Sequence, residues 1–274
     1  MTPNQFANPE LADAVEQYAS KLSPDYSTAA ELFKQHHTES EKDYQRRLQQ
    51  ISPSFPLLEE QAAQDLLRWE QESGRTQNYT AKELAEAKVY MQALNGYRLL
   101  HKAELAFLNG AHQSIVAVAI ENSKLSEKFR EKGKLGKKLA VVETSSRIAP
   151  CLTFSGSSDY LQAMIVPYGK EARAVFGEKA VKSLVSSEAV EESARNLQRL
   201  FNVEYVLAET SAAPRDEVAK SKRKPEVYIC EITGGNEKNM ALHTAHEIIN
   251  TPFREEFNCR VRELMYFALQ RMYS

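Results

Sequence analysis

Through roughly the first 110 residues, apolar positions recur every three to four residues, and almost nothing alternates as a strand would. Asn8-Pro9-Glu10 opens a helix whose stripe is Leu11, Val15, Tyr18 and Leu22, and Ser23-Pro24-Asp25 closes it. Residues 29–51 are polar and helical in parts, anchored by Ala30, Leu32, Phe33, Tyr44 and Leu48. Residues 57–72 place Leu58, Ala62, Leu66 and Trp69 at helical spacing, with Gly74 as a stop. Thr80-Ala81-Lys82-Glu83 reads as a capping box opening a long helical stretch through Leu108, which Asn109-Gly110 is expected to break.

From about residue 113 short apolar runs alternate with helical periods. A helix is predicted over 114–131, then a turn over 133–137. Strands follow at 139–142, 161–166, 205–208 and 227–232, with a helix at 188–201. Residues 240–248 fit a strand or a helix, and 254–272 form a last helix with Phe257, Val261, Leu264, Phe267 and Met272 inward. The expected fold class is α/β: a layered α/β/α domain over 113–274, preceded by an all-helical region over 1–112.

Composition narrows the function classes. Lys and Arg total 35 against 37 Asp and Glu, so the net charge of −2 gives no bulk attraction to nucleic acid or an anionic membrane. The basic run Lys220-Ser221-Lys222-Arg223-Lys224 reads as a solvated loop. Three cysteines, Cys151, Cys230 and Cys259, lack metal or redox spacing and suit a reducing compartment. No basic-then-apolar leader and no apolar run of membrane length is present, so the expectation is a cytoplasmic protein that neither inserts into a membrane nor binds nucleic acid. His36-His37 cannot share a helix face, and neither a metal nor a cofactor is expected.

Candidate chemistry concentrates after the first strand, at Glu143-Thr144-Ser145-Ser146-Arg147. A strand emptying into a hydroxyl-rich turn and then a helix is a usual place for a site. Three readings stand together: hydroxyls capping the helix, an anion or ligand pocket, or a nucleophile with Glu143 as its base.

The order and spacing of these loops resemble the carboxy-terminal domain of the CinA competence/damage-inducible proteins, a family of nicotinamide mononucleotide (NMN) amidohydrolases that usually form homodimers. The family turn Glu-Ser-Cys-Thr-Gly-Gly is similar to Glu143-Thr144-Ser145-Ser146-Arg147-Ile148, with both glycines replaced. Gly156-Ser157-Ser158 is intact, Tyr168 is kept, and Arg173 stands for a lysine. The third loop reads Glu209-Thr210-Ser211-Ala212-Ala213-Pro214, keeping Ala212 and Pro214 but no glycine. Lys224-Pro225 matches a lysine-proline pair, and Arg254 resembles the arginine before the last helix.

If the family reaction survived, the resemblance implies Thr144 as hydroxyl, Tyr168 lining the site, and a ligand or phosphate pocket from Ser145, Ser146, Arg147, Arg173, Lys224 and Arg254. Arg147 and Ile148 in place of glycines, and Glu209 in the third loop, oppose a phosphate there. The expectation is therefore a non-catalytic scaffold or adaptor: a homodimer that meets other protein subunits through its helical region, for example in a bacterial secretion complex. Trp69, Tyr90 and Tyr97 are its candidate interface anchors. The alternative is an NMN amidohydrolase or a retuned small-nucleotide-binding enzyme.

Overall fold

The computed structural model describes residues 8–35, 40–50, 55–72, 79–144, 147–175, 183–214, 224–235 and 239–274. By contacts these divide into a helical unit ending at Leu108 and an α/β unit beginning at Asn109.

The helical unit contains α1 (Pro9–Leu22), α2 (Asp25–Gln35), α3 (Glu41–Gln50), α4 (Phe55–Glu72) and the first part of α5 (Ala81–Glu121). Asn8 caps α1 by accepting from the Leu11 N–H at 3.3 Å. The capping box is reciprocal: Thr80 N–H donates to Glu83 at 2.7 Å and Glu83 N–H to Thr80 Oγ1 at 3.3 Å. Leu11, Val15, Tyr26, Phe33, Trp69, Tyr90, Leu94 and Tyr97 share one core. Trp69, Tyr90 and Tyr97 are buried in it, which removes them as surface anchors. Within this core Tyr26 Oη donates to Asp65 at 2.8 Å, and Arg98 pairs with Asp65 at 3.0 Å.

Helix α5 does not break at Asn109-Gly110; it continues to Glu121. Asn109 is held there by tertiary contacts, its side-chain oxygen and its carbonyl both accepting from Arg262. The break falls at Asn122-Ser123, where Ser123 caps α6 (Lys124–Lys134). The expected single helix over 114–131 is thus two. By length and composition alone, α5 is also long and apolar enough to cross a membrane, although the sequence shows no continuous apolar run of that length.

The α/β unit holds a five-stranded mixed sheet: β1 (Leu139–Glu143), β2 (Leu161–Ile165), β3 (Tyr205–Ala212), β4 (Glu226–Thr233) and β5 (Ala241–Ile248), in spatial order β2-β1-β3-β4-β5. β1 pairs parallel with β2 and β3, while β3–β4 and β4–β5 are antiparallel. Residues 241–248 resolve as strand. Edge strand β2 ends before Pro167, so that proline interrupts no ladder. Short α7 (Ala149–Leu152) and α8 (Lys170–Val175), then α9 (Ser187–Phe201) and α10 (Arg254–Met272), complete the unit.

The two sheet faces carry separate cores, as the period of two requires. One face packs Leu139, Val141 and Leu207 with Phe129, Phe257, Val261 and Met265. The other packs Val142, Val206 and Ala208 with Val190, Ala194 and Leu197 of α9. Burying side chains of this size contributes roughly 1.5–3 kcal/mol each. On α10 the buried stripe includes Phe257, Val261, Met265, Leu269 and Met272, whereas Phe267 faces solvent.

Candidate functional site

Strand β1 is buried along its whole length and ends on Glu143, 1% exposed. A carboxylate driven into a sheet end needs donors, and the following turn supplies them. Glu143 Oε2 accepts the N–H of Arg147 at 2.6 Å and of Ile148 at 3.0 Å, and Oε1 accepts Ala149 N–H at 2.9 Å. Those N–H groups are the ones a helix-terminal anion site would offer to a ligand, and here a side chain of the same turn takes them. The helix they lead into, α7, has only four residues. Burial pushes the Glu143 carboxyl above its ordinary range, joined by the neighbouring Glu209 charge, while the three N–H groups pull it down.

Glu209 faces Glu143 in the β1–β3 ladder and is itself 2% exposed. The sequence reading placed Glu209-Thr210-Ser211-Ala212 in a loop, but β3 extends through all four, paired with Ile229, Tyr228, Val227 and Glu226 of β4. Strand geometry therefore fixes where the Glu209 side chain goes. Its Oε2 accepts Thr144 N–H at 2.9 Å, and Thr144 Oγ1 lies 3.3 and 3.4 Å from the two carboxylate oxygens.

Arg147 is half-buried. Desolvation lowers its guanidinium pKa, Arg254 and Arg262 push the same way, and Glu209 and Glu143 oppose them. Its Nε is buried with no hydrogen-bond partner. Arg254 is the exposed first residue of α10. The structure therefore sets the Thr144 N–H and hydroxyl on Glu209 and the Arg147 N–H on Glu143, two buried carboxylates.

Other expected residues lie elsewhere. Arg173 is buried, donates to the Leu184 carbonyl and reaches Thr210 Oγ1 at 2.9 Å. Thr210 alternates with Glu209 along β3, so Arg173 is on the opposite sheet face from the Thr144 group. Tyr168 is 74% exposed and Lys224 is exposed, and neither is hydrogen-bonded to Thr144 or Arg147 among the described residues. Ser145, Ser146 and His36-His37 lie outside the described residues. Among the described residues no group of three or more His, Cys, Asp or Glu is gathered for a metal.

No family model matches this chain, and no curated protein does. Solved structures similar to it are CinA-type proteins. One is a competence-damaged protein (CinA) superfamily protein from Enterobacter cloacae, 16% identical, with a TM-score of 0.48, covering 58% of this chain and 92% of its own. Another is the competence/damage inducible protein CihA from Agrobacterium tumefaciens, 18% identical, TM-score 0.45, covering 59% and 93%. A CinA superfamily protein from Escherichia coli is 18% identical, TM-score 0.45, covering 56% and 88%. Similarity at this level assigns no role to any residue.

Sequence reasoning missed a second polar centre. Arg262 is among the largest fully buried side chains. It donates through Nε to the Arg147 carbonyl at 2.9 Å, through Nη2 to Asn109 Oδ1 at 3.0 Å, and through Nη1 to His112 Nδ1 at 2.8 Å. It thus ties the turn after β1 to α5. The signal was present: Asn258 and Arg262 fall four residues apart, next to the apolar Phe257-Val261 stripe. Buried polar groups demand hydrogen bonds. Arg262 meets that demand, whereas the buried Asn258 Oδ1 has no hydrogen-bond partner among the described residues.

Proposed function

We propose that this chain is a non-catalytic scaffold or adaptor working through protein–protein contacts. In this reading it is cytoplasmic, self-associates as a homodimer, and uses its helical region to engage other subunits of a larger assembly such as a bacterial secretion complex. The observation that carries the reading is the Glu209 carboxylate on the N–H and hydroxyl of Thr144. A buried anion there opposes the phosphate and developing oxyanion that the amidohydrolase reaction would bring. The paired turn, closed by Glu143, has already spent its backbone donors. Leu67, Val89, Phe107 and Leu108 of the helical unit are 47–69% exposed, and they replace the buried aromatics as contact residues for a partner.

The same geometry gives the alternative its one support. A carboxylate 3.3 Å from a hydroxyl is also the arrangement of a base beside a nucleophile, so an NMN amidohydrolase would use Thr144 with Glu209. Two experiments separate them. Ammonia release from NMN that depends on both Thr144 and Glu209 would establish the enzyme. Affinity purification from the native host at native expression tests the adaptor, and recovery of the chain alone would count against it.

A further inference from the structure

The segment from α6 to the start of β1 carries a charge bias that the chain total hides. Residues 124–138 hold seven Lys or Arg against two Glu, a net of +5, so with a total of −2 the rest of the chain carries −7. Helix α6 buries Leu125, Ser126, Phe129 and Gly133, which fixes its orientation: Lys124 is exposed, Lys128 and Lys132 are half-buried on the flank of the buried stripe, and Glu127 and Glu131 are exposed. Lys134 and Lys137 are exposed in the turn that follows.

Two of the seven cations have internal work. Arg130 donates to the Ser155 carbonyl at 3.2 Å and lies over the Phe154 ring, and Lys138 donates to the Asp159 carbonyl. Lys124, Lys128, Lys132, Lys134 and Lys137 make no ion pair among the described residues, although Glu127 and Glu131 share their helix. At the tip, between Lys134 and Lys137, Leu135 ends α6 and is 72% exposed. Gly136 follows with φ of 77°, and a side chain added there would meet nothing within 4 Å. The tip is therefore open on the outside.

We propose that this surface docks the α/β unit on an anionic lipid bilayer, with the lysines against the headgroups and Leu135 at the acyl boundary. The five cations are lysines, point charges suited to a diffuse anionic plane, and they lack the bidentate fork that reads phosphates individually. The segment's one aromatic, Phe129, is fully buried and leaves nothing to stack on a base. An apolar residue ringed by cations, on an otherwise acidic molecule, also fixes which side faces the bilayer.

The test is sedimentation of the full chain with phosphatidylcholine vesicles and with vesicles containing about one-third phosphatidylserine, a composition chosen to give a strongly negative surface. Binding is expected only to the anionic vesicles and should fall as salt rises from low to high. Each lysine neutralised should cost about fivefold, so the triple variant Lys132→Gln, Lys134→Gln, Lys137→Gln should bind about a hundredfold more weakly. Leu135→Ser should weaken binding without changing its salt dependence. Lys134, Leu135 and Lys137 are exposed and Lys132 is half-buried, and circular dichroism checks the fold. The salt series on the unmodified chain tests the idea without any variant. Absence of binding to anionic vesicles, an unweakened triple variant, or binding to duplex DNA without binding to vesicles would overturn it.

Discussion

Replacing Glu143 tests whether the turn after β1 is a closed structural unit. Glu143→Ala leaves the N–H groups of Arg147, Ile148 and Ala149 without their acceptor. Each buried donor so exposed costs about 1–3 kcal/mol. Against this, the substitution removes a carboxylate that is 1% exposed and whose burial is unfavourable. The two effects together leave a loss of about 3 kcal/mol for Ala. Glu143→Gln keeps one acceptor oxygen and should lose about half of that, roughly 1.5 kcal/mol. Urea unfolding followed by far-ultraviolet circular dichroism measures the total, and hydrogen exchange at the amides of residues 147–149 reads the local effect. The expected result is faster exchange at those three amides in both variants, larger for Ala. A loss below about 1 kcal/mol for Glu143→Ala, with unchanged exchange, would refute the idea that this carboxylate holds the turn.

Three further outcomes follow from the same contacts. The raised Glu143 pKa means the folded state holds its proton more tightly than the unfolded chain, so its contribution is full below the ordinary value of 4.5 and is lost as pH rises through the folded value. Melting curves of the natural chain should accordingly fall with rising pH relative to Glu143→Gln over that window, and parallel curves would contradict this. Gly133→Ala places a methyl 2.1 Å from the Asp159 carbonyl oxygen and 2.7 Å from its carbon, both backbone atoms, so it should destabilise by about 2–3 kcal/mol in a thermal melt. Arg262→Met strands acceptors on Arg147, Asn109 and His112 and should cost about 3 kcal/mol, and Arg262→Lys should recover only part of it, because one ammonium cannot reach all three.

Much of the fold was legible because local signals and tertiary demands agreed. Asn8 and Thr80 both cap the helices that follow them, and α10 spans the residues that its apolar period marks. Disagreement arose where distant residues overrule local preference. Asn109-Gly110 reads as a helix stop, yet Arg262, more than 150 residues away, engages Asn109 within a continuous helix. Glu209 is a poor strand former, but pairing with β4 carries the ladder through Glu209-Thr210-Ser211. The sequence marked the turn after β1, and there the Thr144 N–H meets Glu209 and the Arg147 N–H meets Glu143. That wiring was not legible. Which donors a carboxylate takes depends on the register of β1 with β3, and sequence does not fix that register when both strands are buried. Arg173 shows the limit from the other side: two β3 residues apart by one position serve opposite faces, so a matched loop position did not bring it to Thr144.

The most direct measurement of the central claim is ammonia release from NMN by the purified full chain, compared with Thr144→Ala and Glu209→Gln. If Glu209 closes the Thr144 position of a silent site, the natural chain releases no ammonia above the enzyme-free rate and the variants match it. Turnover by the natural chain that disappears in both variants would contradict the account.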